Sequence, residues 1–266
     1  GSLASSEAKS SVAQIEETIS VVGELVEEVD KQNDVIARST GTISGHVDAV
    51  QRVLTSFDEA ARTNEGQLQG AHSRMEELEL TASEMFDSLV QAGLSPQDSI
   101  MVERAQEIAS KVAAAAQDAI ANSEITEAQL FDQDYQPIVG SNPPRFRTAL
   151  NDWADRNWRP MLDAAKNADP SVRAAACTDL KGFLPTHISE MSRQPTGDLA
   201  HDTKHCRNGR ILLETIDKRA KKSSAPYMMA VYRQEGDGTQ YMVVRNIYVP
   251  LLINVRRWGD FEFAYS

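Results

Sequence analysis

Five histidines and two cysteines carry the metal-ligand chemistry of this chain, and four of these residues, His187, His201, His205 and Cys206, fall within twenty positions. His201 and His205 stand at i, i+4. On a helix that spacing puts two imidazoles on one face, as zinc and haem sites require. With Cys206 beside them and His187 upstream, they form a candidate metal, haem or redox centre, with zinc or haem as the fitting cofactor. The segment from Pro195 to Asn208 contains Gly197, so a loop is the competing reading. In it the histidines are polar loop residues and Cys206 packs as a small hydrophobe. Arg207 and Arg210 supply planar cationic forks suited to a carboxylate, and salt bridges to Asp179, Glu214 or Asp217 would occupy them equally well. Tyr227, Tyr232 and Tyr241 are placed to line a pocket from alternate strand positions, or to sit in a core with their hydroxyls reaching solvent. With His187 and Cys206, the residues Arg207, Arg210, Tyr227 and Tyr232 make up a candidate small-molecule site. No phosphate loop, nucleophile elbow or paired-carboxylate motif is present. Cys206 and His205 are sequence neighbours whose side chains diverge in an extended chain, so an enzyme is not expected.

These residues need a framework, and the chain offers two kinds. From Val12 to Leu89, apolar or small residues return at alternating spacings of three and four, through Ile15, Ile19, Val22 and Val26 to Leu54, Phe57, Met75, Leu78 and Met85. A period of about 3.5 residues held this long predicts a coiled-coil helix that needs a partner, since an isolated helix drifts off that register. Gly41 and Gly45 are soft spots, but the heptad phase runs through them, which favours one continuous helix. Asn33, Thr40 and Asn64 sit in the seam, where polar residues fix register. Gly93 and Ser95-Pro96 should close this helix and open an alanine-rich second one, from Gln97 to about Asn122, folding back on the first. Thr126 should cap a short helix from Glu127 to Phe131.

Composition changes near residue 130. Residues 1–130 hold 8 Lys/Arg against 23 Asp/Glu, and residues 131–266 hold 19 against 16. The acidity belongs to the rod and excludes nucleic acid or anionic lipid as its partner. All three Trp and both Cys lie after residue 130, so a compact core is expected there. Two cysteines are too few for a disulfide framework, and a reduced cytoplasmic protein follows. No apolar run is long enough to span a membrane. The expected domains are residues 1–11, an expression remnant with a flexible start, 12–130, a coiled-coil signalling helix with a helical linker, and 131–266, a compact α+β domain. In the last, a helix from Phe146 to Asn167 should feed an antiparallel sheet of about five strands, with turns at Glu235–Gly238 and Trp258–Asp260 and a helix near Arg210 to Lys221.

Several runs carry a family resemblance: Leu130-Phe-Asp-Gln-Asp-Tyr-Gln-Pro-Ile-Val-Gly140 with Asn142-Pro143, Gly182-Phe-Leu-Pro-Thr-His187, His205-Cys-Arg-Asn-Gly-Arg-Ile211 and Trp258-Gly-Asp-Phe261. In this order they resemble the C-terminal sensor region of bacterial methyl-accepting chemotaxis proteins, over roughly residues 70–266. The resemblance implies a Cache domain, the PAS-related small-molecule sensor, joined to a dimeric signalling rod. It implies an anionic ligand, a chemotaxis kinase and adaptor as partners, and methylation at Glu16, Glu17, Glu76 and Glu77, each pair with Ser or Thr a turn away. His187 and Cys206 lie in the matching runs and His201 does not. The glycine-containing hairpin tip by which such receptors touch their kinase is not recognisable, so the chain would be a piece from beyond that tip or would signal otherwise.

Overall fold

Helix α1 (Ser2–Gln91) is unbroken in the computed structural model, which describes residues 2–235 and 241–266, with side chains from Glu7 to Tyr232 and from Met242 to Ser266. The chain divides into two units, Gly1–Ser73 and Arg74–Ser266. In the first, α1 continues through all its glycines, at none of which a Cβ would meet another atom. Its heptad positions stand in the open: Leu54 is 61% and Phe57 73% exposed.

The second unit begins with the last turns of α1. The helix closes in a Schellman motif: the Leu94 amide donates to Leu89 O at 3.0 Å and the Gly93 amide to Val90 O at 2.9 Å, with Gly93 at φ +72°. Pro96 then opens α2 (Pro96–Ala121), where its missing amide is harmless. The α2 face of Ala105, Ala109, Val112, Ala116 and Ala119 is buried. These small side chains let α2 lie close against the sheet and α4, so it belongs with the compact unit, whose core also takes in Phe86 and Val90 from the C-terminal end of α1. Helix α3 (Glu127–Leu130) carries a capping box between Thr126 and Gln129.

A two-residue pairing of β1 (Gln136–Pro137) with β2 (Phe146–Arg147) precedes α4 (Asn151–Asn167). Phe146 belongs to β2, so the helix starts five residues later than expected. Strand β3 (Val172–Asp179) comes next, then α5 (Leu199–His205), α6 (Thr215–Lys222), β4 (Met228–Glu235), β5 (Tyr241–Ile253) and β6 (Arg256–Tyr265). The sheet has four strands in the order β3-β6-β5-β4, all antiparallel. The expected fifth strand, Phe183 to His187, makes only isolated bridges, Ala176 to His187 and Phe183 to Ile211, along the β3 edge. The turn expected at Gly236-Asp237-Gly238 lies outside the described residues.

Two further corrections concern β5 and β6. The sequence suggests separate strands over Gln240 to Val249 and Leu252 to Arg257, yet β5 runs unbroken through Pro250. Strand β4 starts at Met228, opposite Tyr248, so at Pro250 β5 lacks that neighbour and the missing amide leaves no bond unmade. The turn expected at Trp258–Asp260 is strand. The chain reverses instead at Asn254 and Val255, at φ +50° and +58°, a two-residue hairpin. Val255 is 99% exposed, so its side chain contributes strain and no packing. Val255→Gly should raise the unfolding free energy by about 1 kcal/mol, read from urea melts.

Odd positions of the strands face the hydrophobic core: Ala175, Cys177, Ile247, Val249, Phe261 and Phe263 pack with Met229, α2 and α4. The three indoles are stacked there edge to face, Trp158 at 5.5 Å from Trp153 and 4.9 Å from Trp258. Trp158 Nε1 donates to Val112 O at 3.1 Å and Trp258 Nε1 to Leu130 O at 2.8 Å, tying α4 and β6 to α2 and α3.

Candidate functional site: the polar face of the sheet

Even positions of the same strands face the other way, and their chemistry differs. Cross-strand pairing sets them in rows. His187, Ala176, Glu262, Tyr248 and Met228 form one row, flanked by Thr178 with Asp260 and by Ala174, Ala264, Asn246 and Ala230, with Tyr232 beyond. Paired residues share a face, so His187, Glu262, Tyr248, Asn246 and Tyr232 all rise from one surface whose gaps are filled by alanine. Helix α6 covers part of it. Tyr248 OH donates to Asp217 at 2.8 Å, and Lys221 Nζ donates to Thr178 Oγ1 at 2.7 Å and to Asp260 at 3.2 Å. Arg257 holds the other oxygen of Asp260 at 2.5 Å.

Glu262 accepts from Thr178 Oγ1 at 2.5 Å. Burial pushes its carboxyl up to about 7, against the opposing pull of Lys221, with Asp217 and Asp260 adding to the rise. The folded chain therefore holds this proton between the usual value of 4.5 and about 7 where the unfolded chain does not, and stability falls as pH rises across that window. Glu262→Gln should flatten that slope, by roughly 2 kcal/mol between urea melts at about pH 5 and about pH 8.

Of the residues singled out in the sequence, His187 and Tyr232 stand on this face. His187 is buried, its Nδ1 accepts from the Ile188 amide at 2.8 Å, and burial with Arg207 and Arg159 nearby lowers it to about 3, so it is neutral. Tyr232 is raised to about 12 by burial and by Glu262, an effect Arg207 opposes. The Arg207 guanidinium thus acts on His187 at the β3 edge and on Tyr232 across on β4. Among the described residues its Nε is buried without a hydrogen-bond partner, as is Asn246 Oδ1. Arg210 donates instead to Thr203 O at 3.1 Å, and burial lowers it.

Tyr227 takes the second of its two expected places, in the core. It packs against the core cluster on the opposite face, because positions 227 and 232 differ by an odd number and a strand alternates every residue. The Tyr241 side chain lies outside the described residues. Glu16, Glu17, Glu76 and Glu77 all lie exposed on α1. Sequence reading missed Glu262, Tyr248 and Asn246, whose signal was the alternation of polar with aromatic or aliphatic residues along β5 and β6.

The histidine and cysteine candidates separate. His201 and His205 do share a helical face on α5, their rings 5.0 Å apart, and Cys206 follows at the helix end. His187 does not join them: among the described residues the gathering is His201, Asp202 and Cys206. A further cavity of about 250 Å³ lies beyond the start of β4, walled by Ser223, Pro226, Pro250, Leu252 and Arg257. Its one charged group binds Ala220 O, Ser223 O and Asp260 through its terminal nitrogens, while its Nε is buried without a hydrogen-bond partner among the described residues.

The last turns of α1 meet the sheet at β4. Ser83 Oγ accepts from the Val231 amide and donates to Val231 O, both at 3.1 Å, and Asp87 accepts from the Met229 amide at 2.7 Å. Side chains of a helix thus serve the edge strand as a neighbouring strand would. Arg219 on α6 pairs with Glu84. Glu79, Leu80, Ser83, Phe86, Asp87 and Val90 turn toward the domain, while the heptad positions Met75, Leu78, Met85 and Leu89 remain exposed on the other side. Asp87→Ala would leave the Met229 amide unmet and should cost about 1–3 kcal/mol in urea melts. Comparison of the sequence with protein-family models and with curated proteins returns no match.

Proposed function

We propose that this chain is a chemoreceptor-like signal transducer, in which the polar sheet face binds a small anionic ligand and α1 carries the response. The observation that carries this reading is that, among the described residues, Arg207 Nε and Asn246 Oδ1 are buried without hydrogen-bond partners, Asn246 on the face that holds Tyr232, Tyr248 and Glu262 and Arg207 near enough to act on Tyr232. Buried polar atoms nearly always have partners, and a ligand carboxylate and donor would supply these two. The motif resemblance to methyl-accepting chemotaxis proteins agrees with it, and the reading includes a Cache-like or PAS-like arrangement of the sheet.

Helix α6 provides the route. It binds the polar face through Asp217 and Lys221 and binds α1 through Arg219, so a ligand that shifts α6 or β4 shifts what Glu84, Ser83 and Asp87 hold. The exposed heptad seam is the surface for a second copy, giving a cytoplasmic homodimer whose seam repacks between two states. A chemotaxis kinase and adaptor are the downstream partners where the natural protein has a signalling tip.

Native mass spectrometry of the purified chain should show a dimer retaining a small organic acid. In a thermal-shift panel of small carboxylates, one should stabilise the protein and fail to stabilise Arg207→Ala. Equal shifts in both proteins, or a bound ligand that leaves spin-label distances between paired α1 helices unchanged, would refute the reading.

A further inference from the structure

Apart from the polar face, α5 builds a second site. Asp198 caps this helix, accepting from the His201 amide at 2.7 Å, and one and a half turns bring His201, Asp202 and Cys206 together. His201 Nδ1 lies 3.0 Å from Asp202 Oδ1, Cys206 Sγ lies 3.8 Å from the same oxygen, and the three donor atoms all fall within 4.8 Å of one another. Bonds of about 2.0–2.3 Å to a tetrahedral zinc ion set neighbouring nitrogen, oxygen and sulfur ligands roughly 3.3–3.6 Å apart. The two distances to Asp202 Oδ1 need only open or close by a few tenths of an ångström around an ion.

We propose that His201, Asp202 and Cys206 form a zinc site, with water in the fourth position. The donor set, one imidazole, one carboxylate and one thiolate, suits a borderline ion and not calcium or magnesium. Asp202 is buried, and among the described residues no Lys or Arg pairs with it; its only charged-group contact is His201. A metal cation would add the positive charge that this carboxylate's neighbours lack. The carboxylate is also held in place from behind: the Thr196 and Gly197 amides donate to it at 2.8 and 2.9 Å and Thr196 Oγ1 at 3.1 Å, the kind of outer hydrogen bonding that orients metal ligands.

The proton balance is defined. Asp202 binds as the carboxylate and His201 through Nδ1 with its proton on Nε2. Cys206 binds as the thiolate, so its thiol proton passes to solvent when zinc binds. Zinc would then fix Cys206, which bridges to Ser192, and with it the backbone of Arg207, whose amide donates to Met191 O at 2.8 Å. A metal on α5 thereby sets the position of the cation at the edge of the polar face.

The test uses the whole chain, stripped by chelator and titrated with cobalt(II) chloride, then zinc(II) chloride. One cobalt per chain is expected, with intense tetrahedral ligand-field bands and a thiolate-to-cobalt charge-transfer band, all bleached by an equivalent of zinc. Cys206→Ser should lose the charge-transfer band. His201→Gln, at a side chain 30% exposed and so safe for folding, should weaken binding at least about tenfold. Cys177→Ser and His205→Gln should bind as the parent does. A weak octahedral spectrum without the thiolate band, or a spectrum indifferent to both Cys206→Ser and His201→Gln, would overturn the site.

Discussion

Asp260→Ala lowers the unfolding free energy of the compact unit by about 3–5 kcal/mol. Asp260 is 0% exposed and is held by two cations, Lys221, whose side chain is 5% exposed, and Arg257. Removing the carboxylate leaves Lys221 buried with Thr178 Oγ1 as its remaining hydrogen-bond partner and takes from the Arg257 fork its carboxylate partner. A buried ammonium stripped of its ion-pair partner is costlier than the pair was favourable, even with the Glu262 carboxyl near it, which is why the single change is severe. The double change Lys221→Met with Asp260→Leu, which removes both charges, should recover most of the loss. All three tryptophans lie in this unit, so their fluorescence in urea reports it without contribution from the rest of α1. A loss under about 1 kcal/mol for Asp260→Ala would show that water reaches the pair and that the polar face is open at α6.

Gly259→Ala is expected to be the most damaging single-methyl change, costing about 4 kcal/mol or more and abolishing the cooperative tryptophan transition at 37 °C or below. A Cβ at this position would stand 1.9 Å from Thr178 O and 2.6 Å from Asp179 Cα, both backbone. No rotamer can relieve such a contact. Strand β3 would have to part from β6 at the Asp179 to Gly259 pairing, carrying Thr178 and Asp260 with it. Gly41→Ala, with nothing within 4 Å of its Cβ, is the control: it should be neutral or add helix content by circular dichroism. Equal tolerance at both positions would mean that β3 and β6 pair less closely than the register states.

The two predictions bear on the proposed function through one element. Thr178, Asp260 and Glu262 crowd the foot of α6, and α6 reaches Glu84 on α1. Damage there should therefore uncouple the polar face from the helix as well as weaken the fold.

What the sequence determined by itself was local. A helix closes its hydrogen bonds four residues back, so the heptad period through Gly41 and Gly45, the stop at Gly93-Leu94, the start at Pro96 and the Thr126 cap were all readable from neighbours in the chain. His201 and His205 on one face belong to the same class, once Asp198 caps the turn. The tertiary structure decided everything that depends on a partner distant in sequence. Pro250 is allowed in β5 because of where β4 begins, and Gly259 is strand because Thr178 leaves no room for a side chain. Tyr227 and Tyr232 part because alternation assigns them to opposite faces. Glu262 becomes a buried acid only when β3, β5 and α6 close around it, and Ser83 and Asp87, ordinary polar residues on a helix, acquire their role from the edge of a sheet some 140 positions away.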